Sequence, residues 1–225
     1  MVDARLLIDS DAFVFLAGTG LLSEAIRVLG FTREQVLRLQ ALPHMLRRPG
    51  KFDKYSQEAR HLASKECAVV AALGTSPSHR TLESLKNVID IDLGDAVIIG
   101  LVAENPGWVA LSGDRRCIVS LATRPEVWDI AQTVAGRIAY LEEVIRALLL
   151  ERGPAALMSS VAPELESRIS LKKTFTSSNL TVDGKCLAVL DAYLAEVTRS
   201  VGAGFLVAPR TTNASQTAPE TGSSS

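Results

Sequence analysis

Aromatic side chains make up only 5% of the 225 residues, so a core has to be built from Leu, Val, Ile and Ala. Histidine is as scarce: His44, His61 and His79 are scattered, which disfavours zinc chemistry. Cys67, Cys117 and Cys186 lie far apart and form no Cys-x-x-Cys pair. That spacing excludes a zinc knuckle, makes a disulfide framework unexpected and points to a reducing cytosol. Charge of one sign is missing too. At a formal net charge of −1, binding to nucleic acid would need a local basic patch. No apolar run approaches the roughly 20 residues of a membrane span. Asp3, Asp9 and Asp11 interrupt the run that a signal peptide would need, so a cytoplasmic protein without membrane contact is expected.

What is present is ordinary globular material, 47% hydrophobic and 22% charged, enough for one core and an extension. Arg5-Leu-Leu-Ile8 is apolar without alternation, the mark of a strand buried on both faces, and it ends in Asp9-Ser-Asp11. Leu21, Leu22, Ala25, Ile26 and Leu29 recur at helical spacing before Gly30. Thr32 and Gln35 form a capping-box pattern that predicts a second helix through Val36, Leu37 and Leu39. Helical patterning from Ser56 to Leu73 follows, then a half-buried strand in "NVIDID" and a helix in "LGDAVIIGLVAE" with Asp95 in its first turn. Trp108–Leu111 reads as a strand, Asp114–Ala122 as a helix, and Ile138–Leu141 as a strand running into a helix stopped by Gly153. Beyond Pro154 the expectation is a helical annex, with Asp183 capping a helix whose Leu187, Leu190, Leu194 and Val197 share one side.

Strands alternating with helices predict a three-layer α/β/α fold with a mainly parallel central sheet, plus a C-terminal helical extension. The expected division is a domain over 1–153, the extension over 154–207 packed on it, and a disordered Ser- and Thr-rich tail over 208–225. Ligands of such sheets bind beyond the carboxyl ends of the strands. Asp9, Asp95 and Asp114 are placed to converge there. Each has a plain role as a helix cap or first-turn acid. Together they would repel one another, and a hard divalent cation such as Mg²⁺ or Mn²⁺ is the usual resolution.

Three stretches in order, "LLIDSDAFVF", "IDLGDAVIIGLVAE" and "VALSGDRRCIVSLA", resemble the signature stretches of the PIN-domain ribonucleases. The resemblance covers Arg5 to about Leu150. It implies a metal-dependent endoribonuclease in which Asp9, Asp95 and Asp114 hold the ion, Ser112 orients the metal site and Asp11 lends support. Asp95 stands where the family usually has Glu. The family's second acid, from a helix in the first half, has no clear counterpart here; Glu66 is the preferred choice, with Glu58 behind it.

Other readings remain open. Asp9-Ser-Asp11 is also similar to the start of haloacid-dehalogenase-type phosphatases, although Lys86 lacks the context that chemistry needs. Gly18 and Gly20 make a weak dinucleotide-loop pattern. A PIN-like chain with a degenerate site would serve as a binding or scaffold module. In "RRPGKFDKY", Arg47, Arg48, Lys51 and Lys54 are placed to meet RNA phosphates while Phe52 or Tyr55 stacks on a base; Arg115 and Arg116 flank Asp114. The expected partner is therefore RNA. The annex stripe is expected to cover the core, with a homodimer surface or an inhibitory protein partner as lesser alternatives.

Overall fold

The computed structural model describes residues 3–210. Strand β1 (Arg5–Ile8) runs without a loop into α1 (Ser10–Gly18), through Asp9 as the cap. Helix α2 (Leu22–Val28) follows, then β2 (Val36–Arg38), the single-turn α3 (Leu42–Met45), α4 (Gln57–Cys67) and β3 (Ala71–Ala72). Helices α5 (His79–Lys86) and α6 (Leu93–Glu104) lead to β4 (Trp108–Ser112), and α7 (Arg115–Thr123) and α8 (Trp128–Val134) lead to β5 (Ile138–Tyr140). Helix α9 (Leu141–Arg152) grows directly from β5. The rest is helical: α10 (Pro154–Val161), α11 (Ile169–Thr174), α12 (Ser177–Leu180) and α13 (Lys185–Val201).

The strands form one all-parallel sheet in the order β3-β2-β1-β4-β5. Leu6, Leu7 and Ile8 in the central strand are fully buried, because both faces of the sheet are covered by helices. Helices α1, α2, α4 and α9 pack together on one side, and α5, α6, α7 and α8 on the other, giving the expected three layers. The annex is part of the same body. Helix α13 lies against α7, α9 and α11, and Leu190, Leu194 and Val197 are buried with Leu187 half-buried, so the stripe covers the core. The chain then returns to the sheet: the Val207 N–H donates to Ile138 O at 2.9 Å, beside β5. Arg210, inside the expected tail, donates its N–H to Val28 O at 2.7 Å, while 211–225 fall outside the described residues.

Several elements differ from expectation. The Thr32–Gln35 capping box forms, but it heads a single 3₁₀ turn, and Val36–Arg38 is a strand. Register on β1 (Leu6 beside Val36, Leu7 beside Leu37) decides the conformation there over local helix signals. The helix expected to Leu73 ends at Cys67, since Ala71 pairs beside Leu37. "NVIDID" is a turn rather than a strand: Asp90 takes φ 71°, and the buried pair Val88 and Ile91 is spaced by three residues. Helix α1 lacks any apolar stripe because it is buried nearly all round. Gly184, at φ 68°, stands at the start of α13 in place of the expected Asp183 cap.

Candidate active site

Strand order reverses between β1 and β4, and at that point the crevice beyond the strand ends opens. An open cleft of about 440 Å³ lies there, and Asp9, Asp11, Asp95 and Asp114 all line it. Asp9 comes from the end of β1, Asp114 from the turn after β4, and Asp95 from the first turn of α6.

Asp9 is tied to both central strands. Its Oδ1 accepts the Asp11 N–H at 2.5 Å and its Oδ2 the Gly113 N–H at 2.7 Å, while its own N–H donates to Leu111 O. Burial first, and then the neighbouring Asp11, hold its carboxyl above the usual range despite those two N–H donors. Asp114 caps α7 with Oδ1 alone, accepting from the Arg116 and Cys117 N–H groups at 2.8 and 3.3 Å. Ser112 fixes that turn, its Oγ accepting the Asp114 N–H at 3.1 Å. The Asp in this turn is therefore a helix cap with a second oxygen to spare.

Asp95 carries the charge problem. Its backbone N–H donates to the capping Asp92, but no donor reaches its carboxylate among the described residues. Burial, then Asp9 and Asp92, push its pKa up to about 8, and Lys51 offsets this only in part. The Cys117 thiol feels the same field: burial and then Asp95, Asp114 and Asp9 push it up. Three carboxylates thus face one cleft, and at Asp9 and Asp95 burial and like charge outweigh the nearby cations.

Positive charge rims the cleft unevenly. Lys51 pairs with Asp92 at 2.6 Å, Lys54 with Asp11 at 2.6 Å, and Arg115 with Glu196 at 2.7 Å. Arg116 is only loosely paired, 77% exposed and 3.9 Å from Asp114. Arg47 and Arg48 are exposed and do not line the cleft. Phe52 and Tyr55, expected to stack on bases, are buried core residues, and the Tyr55 hydroxyl donates to Asp11 O at 3.0 Å.

Glu66 is not brought to the site. It lies at the far end of α4, paired with Arg33 ahead of β2, near the amino ends of β2 and β3 and away from the strand ends that form the cleft. Glu58 is exposed and does not line the cleft. The acid that does enter is Glu142, in the first turn of α9, only 2% exposed. Its signal was an acidic pair straight after a strand, the same sign that marks Asp9 and Asp114. Arg168 enters from the annex, and nothing in its local sequence announces it. Asp11 is occupied rather than available: its Oδ2 accepts from Arg168 at 2.6 Å and its Oδ1 faces Lys54.

A hydrated Mg²⁺ or Mn²⁺ suits this donor set. Among the described residues no three acidic, His or Cys side chains form a closed ligand group. A magnesium-like ion needs none, since it keeps several waters and takes only one or two carboxylates directly. The uncompensated Asp95 beside Asp9 and Asp114 is the observation that fits such an ion. No protein-family model, curated protein or solved structure matches the chain.

Proposed function

We propose that the protein is a PIN-like, divalent-metal-dependent endoribonuclease hydrolysing RNA phosphodiester bonds. One observation carries this reading: Asp9, Asp95 and Asp114, from three separated parts of the chain, line one open cleft at the switch point, and Asp95 has no donor to its carboxylate among the described residues. Asp9, Asp95 and Asp114 would hold Mg²⁺ or Mn²⁺, in part through water. When bound, that ion supplies Lewis-acid polarisation of a phosphoryl oxygen and lowers the pKa of a nearby water.

The chain's own groups do the rest. Asp9 is anchored to two strands at once, so its carboxylate moves only if the sheet does. Ser112 and the α7 cap fix Asp114 in the same frame. Arg116, exposed at the mouth, meets the substrate backbone; Lys51, already neutralising Asp92, screens the repulsion between phosphate and Asp95. The open cleft admits a strand, and the arrangement favours an exposed phosphodiester over a small enclosed substrate.

The test is cleavage of a labelled mixed-sequence RNA with Mn²⁺ or Mg²⁺, comparing wild type, Asp9→Asn and Asp114→Asn, with chelator as control. Metal-dependent cutting by wild type is expected. Each variant should lose more than the roughly 10–100-fold that a supporting residue costs. A wild type that is inert with either metal but still binds RNA would turn the reading to a binding module. Cutting that survives both substitutions would remove these residues from the mechanism.

A further inference from the structure

The acidic cleft has two halves. Asp9, Asp95 and Asp114 make one; Asp11 and Glu142 make the other, where the strand ends give way to α1 and α9. The second half already contains a cation. Arg168, in the link ahead of α11, places Nη2 2.6 Å from Asp11 Oδ2 and Nη1 3.4 Å from Glu142 Oε1. Nη1 also donates to Gly113 O at 3.0 Å. The guanidinium lies over the Phe15 ring at 5.4 Å, and the side chain is only 6% exposed.

The surroundings are shaped for it. A Cβ on Gly113 would stand 2.1 Å from Arg168 Nη2, so glycine at that position is what lets the guanidinium lie against the turn between Ser112 and Asp114. Ser170, two residues on, donates to Glu142 Oε1 at 2.8 Å, leaving Oε2 buried without a hydrogen-bond partner among the described residues. An ammonium group would be a single point of charge; a planar fork reaches two carboxylates and a carbonyl at once. Two-metal phosphodiester sites place their second ion about 3.5–4 Å from the first, between carboxylates of this kind.

Resting on the nuclease reading above, we infer that Arg168 is a built-in substitute for a second metal ion, so that the cleft takes a single divalent cation, on its Asp9–Asp95–Asp114 side. Arg168 is a positioning residue: it neutralises Asp11 and Glu142, fixes the turn that carries Asp114, and keeps a second ion out.

Counting Mn²⁺ on the full chain tests this, by calorimetric titration and by Mn²⁺ electron paramagnetic resonance. Wild type should bind one ion, Arg168→Met should bind two, and Arg168→Lys, which returns the charge, should bind one. A purely structural Arg168 would alter stability and leave the count unchanged, so one ion in Arg168→Met overturns the inference. Two ions in wild type would overturn it as well, while leaving the nuclease reading standing. No Mn²⁺ on wild type would overturn both. If Arg168→Met does not fold, the anomalous signal of Mn²⁺ soaked into wild-type crystals decides. A peak only near Asp9, Asp95 and Asp114 with the guanidinium still on Asp11 upholds the inference; a peak between Asp11 and Glu142 overturns it.

Discussion

On the proposed nuclease reading, Asp95 is the residue at which stability and function pull in opposite directions. Its carboxyl is buried beside Asp9 and Asp92 with a pKa near 8, so the metal-free folded chain retains a proton that the unfolded chain gives up. Asp9 is shifted the same way. A raised carboxyl contributes fully at low pH and its contribution is lost as pH rises, here between about pH 4 and 8. Melting temperature without metal should therefore fall across that interval, and saturating Mn²⁺ should restore most of it at the alkaline end; a flat profile would contradict the geometry. Asp95→Asn removes the penalty, and at alkaline pH it should stabilise the metal-free chain by about 0.5–2 kcal/mol while abolishing cleavage. Arg116 gives the complementary case. Being exposed and weakly paired, it should contribute little to stability, yet Arg116→Ala should lower the salt slope of RNA binding by about one. Gly113→Ala would drive a methyl group into Arg168, and lost stability together with displaced Arg168 in a crystal structure is the expected outcome.

At the scale of elements, the chain's local signals were readable where a segment is amphipathic or sits deep in the sheet. β1, α2, β4, α7, β5 and α9 are legible that way, and with them Asp9 and Asp114; α6 is buried on nearly every face and was legible only as a long apolar run behind an acidic first turn that holds Asp95. Helices α5 and α8 were not read from the sequence, and two kinds of segment were not legible for a plain physical reason. Helix α1 is apolar on every face, so it has no period to detect. Strands β2 and β3 are two or three residues long and exist only by pairing, so the Thr32 capping box and the run after Ser56 read as helix. Glu142 was missed for a different reason: the acids after β5 looked like ordinary first-turn residues of α9. Arg168 was beyond reach, since its partners lie 157 and 26 residues away in the chain. Packing of the annex can be weighed directly. Leu190 is fully buried on α13, and Leu190→Ala should cost about 2–5 kcal/mol by denaturant titration.

For the whole molecule, the annex is joined to the rest by its site contacts, by α13 and by the return of the chain to β5. Glu164, from the turn before Arg168, accepts the Ser56 N–H at 3.2 Å at the head of α4. A chain ending at Gly153 would uncover α7 and α9 and leave Asp11 and Glu142 without their guanidinium. It should lose its cooperative thermal transition and bind hydrophobic dye. No helix among the described residues is long and apolar enough to cross a membrane, in keeping with the absence of apolar runs in the sequence.

The placement of Arg168 also sets an order of events during synthesis. Asp9, Asp95 and Asp114 leave the ribosome well before the arginine that completes the cleft, and at roughly 5–20 residues per second the interval lasts seconds. A growing chain therefore carries its acids before it carries the group that arranges them. The finished cleft is a late event in the life of each molecule, reached only after the link into α11 has been made and has folded back onto the first turn of α1.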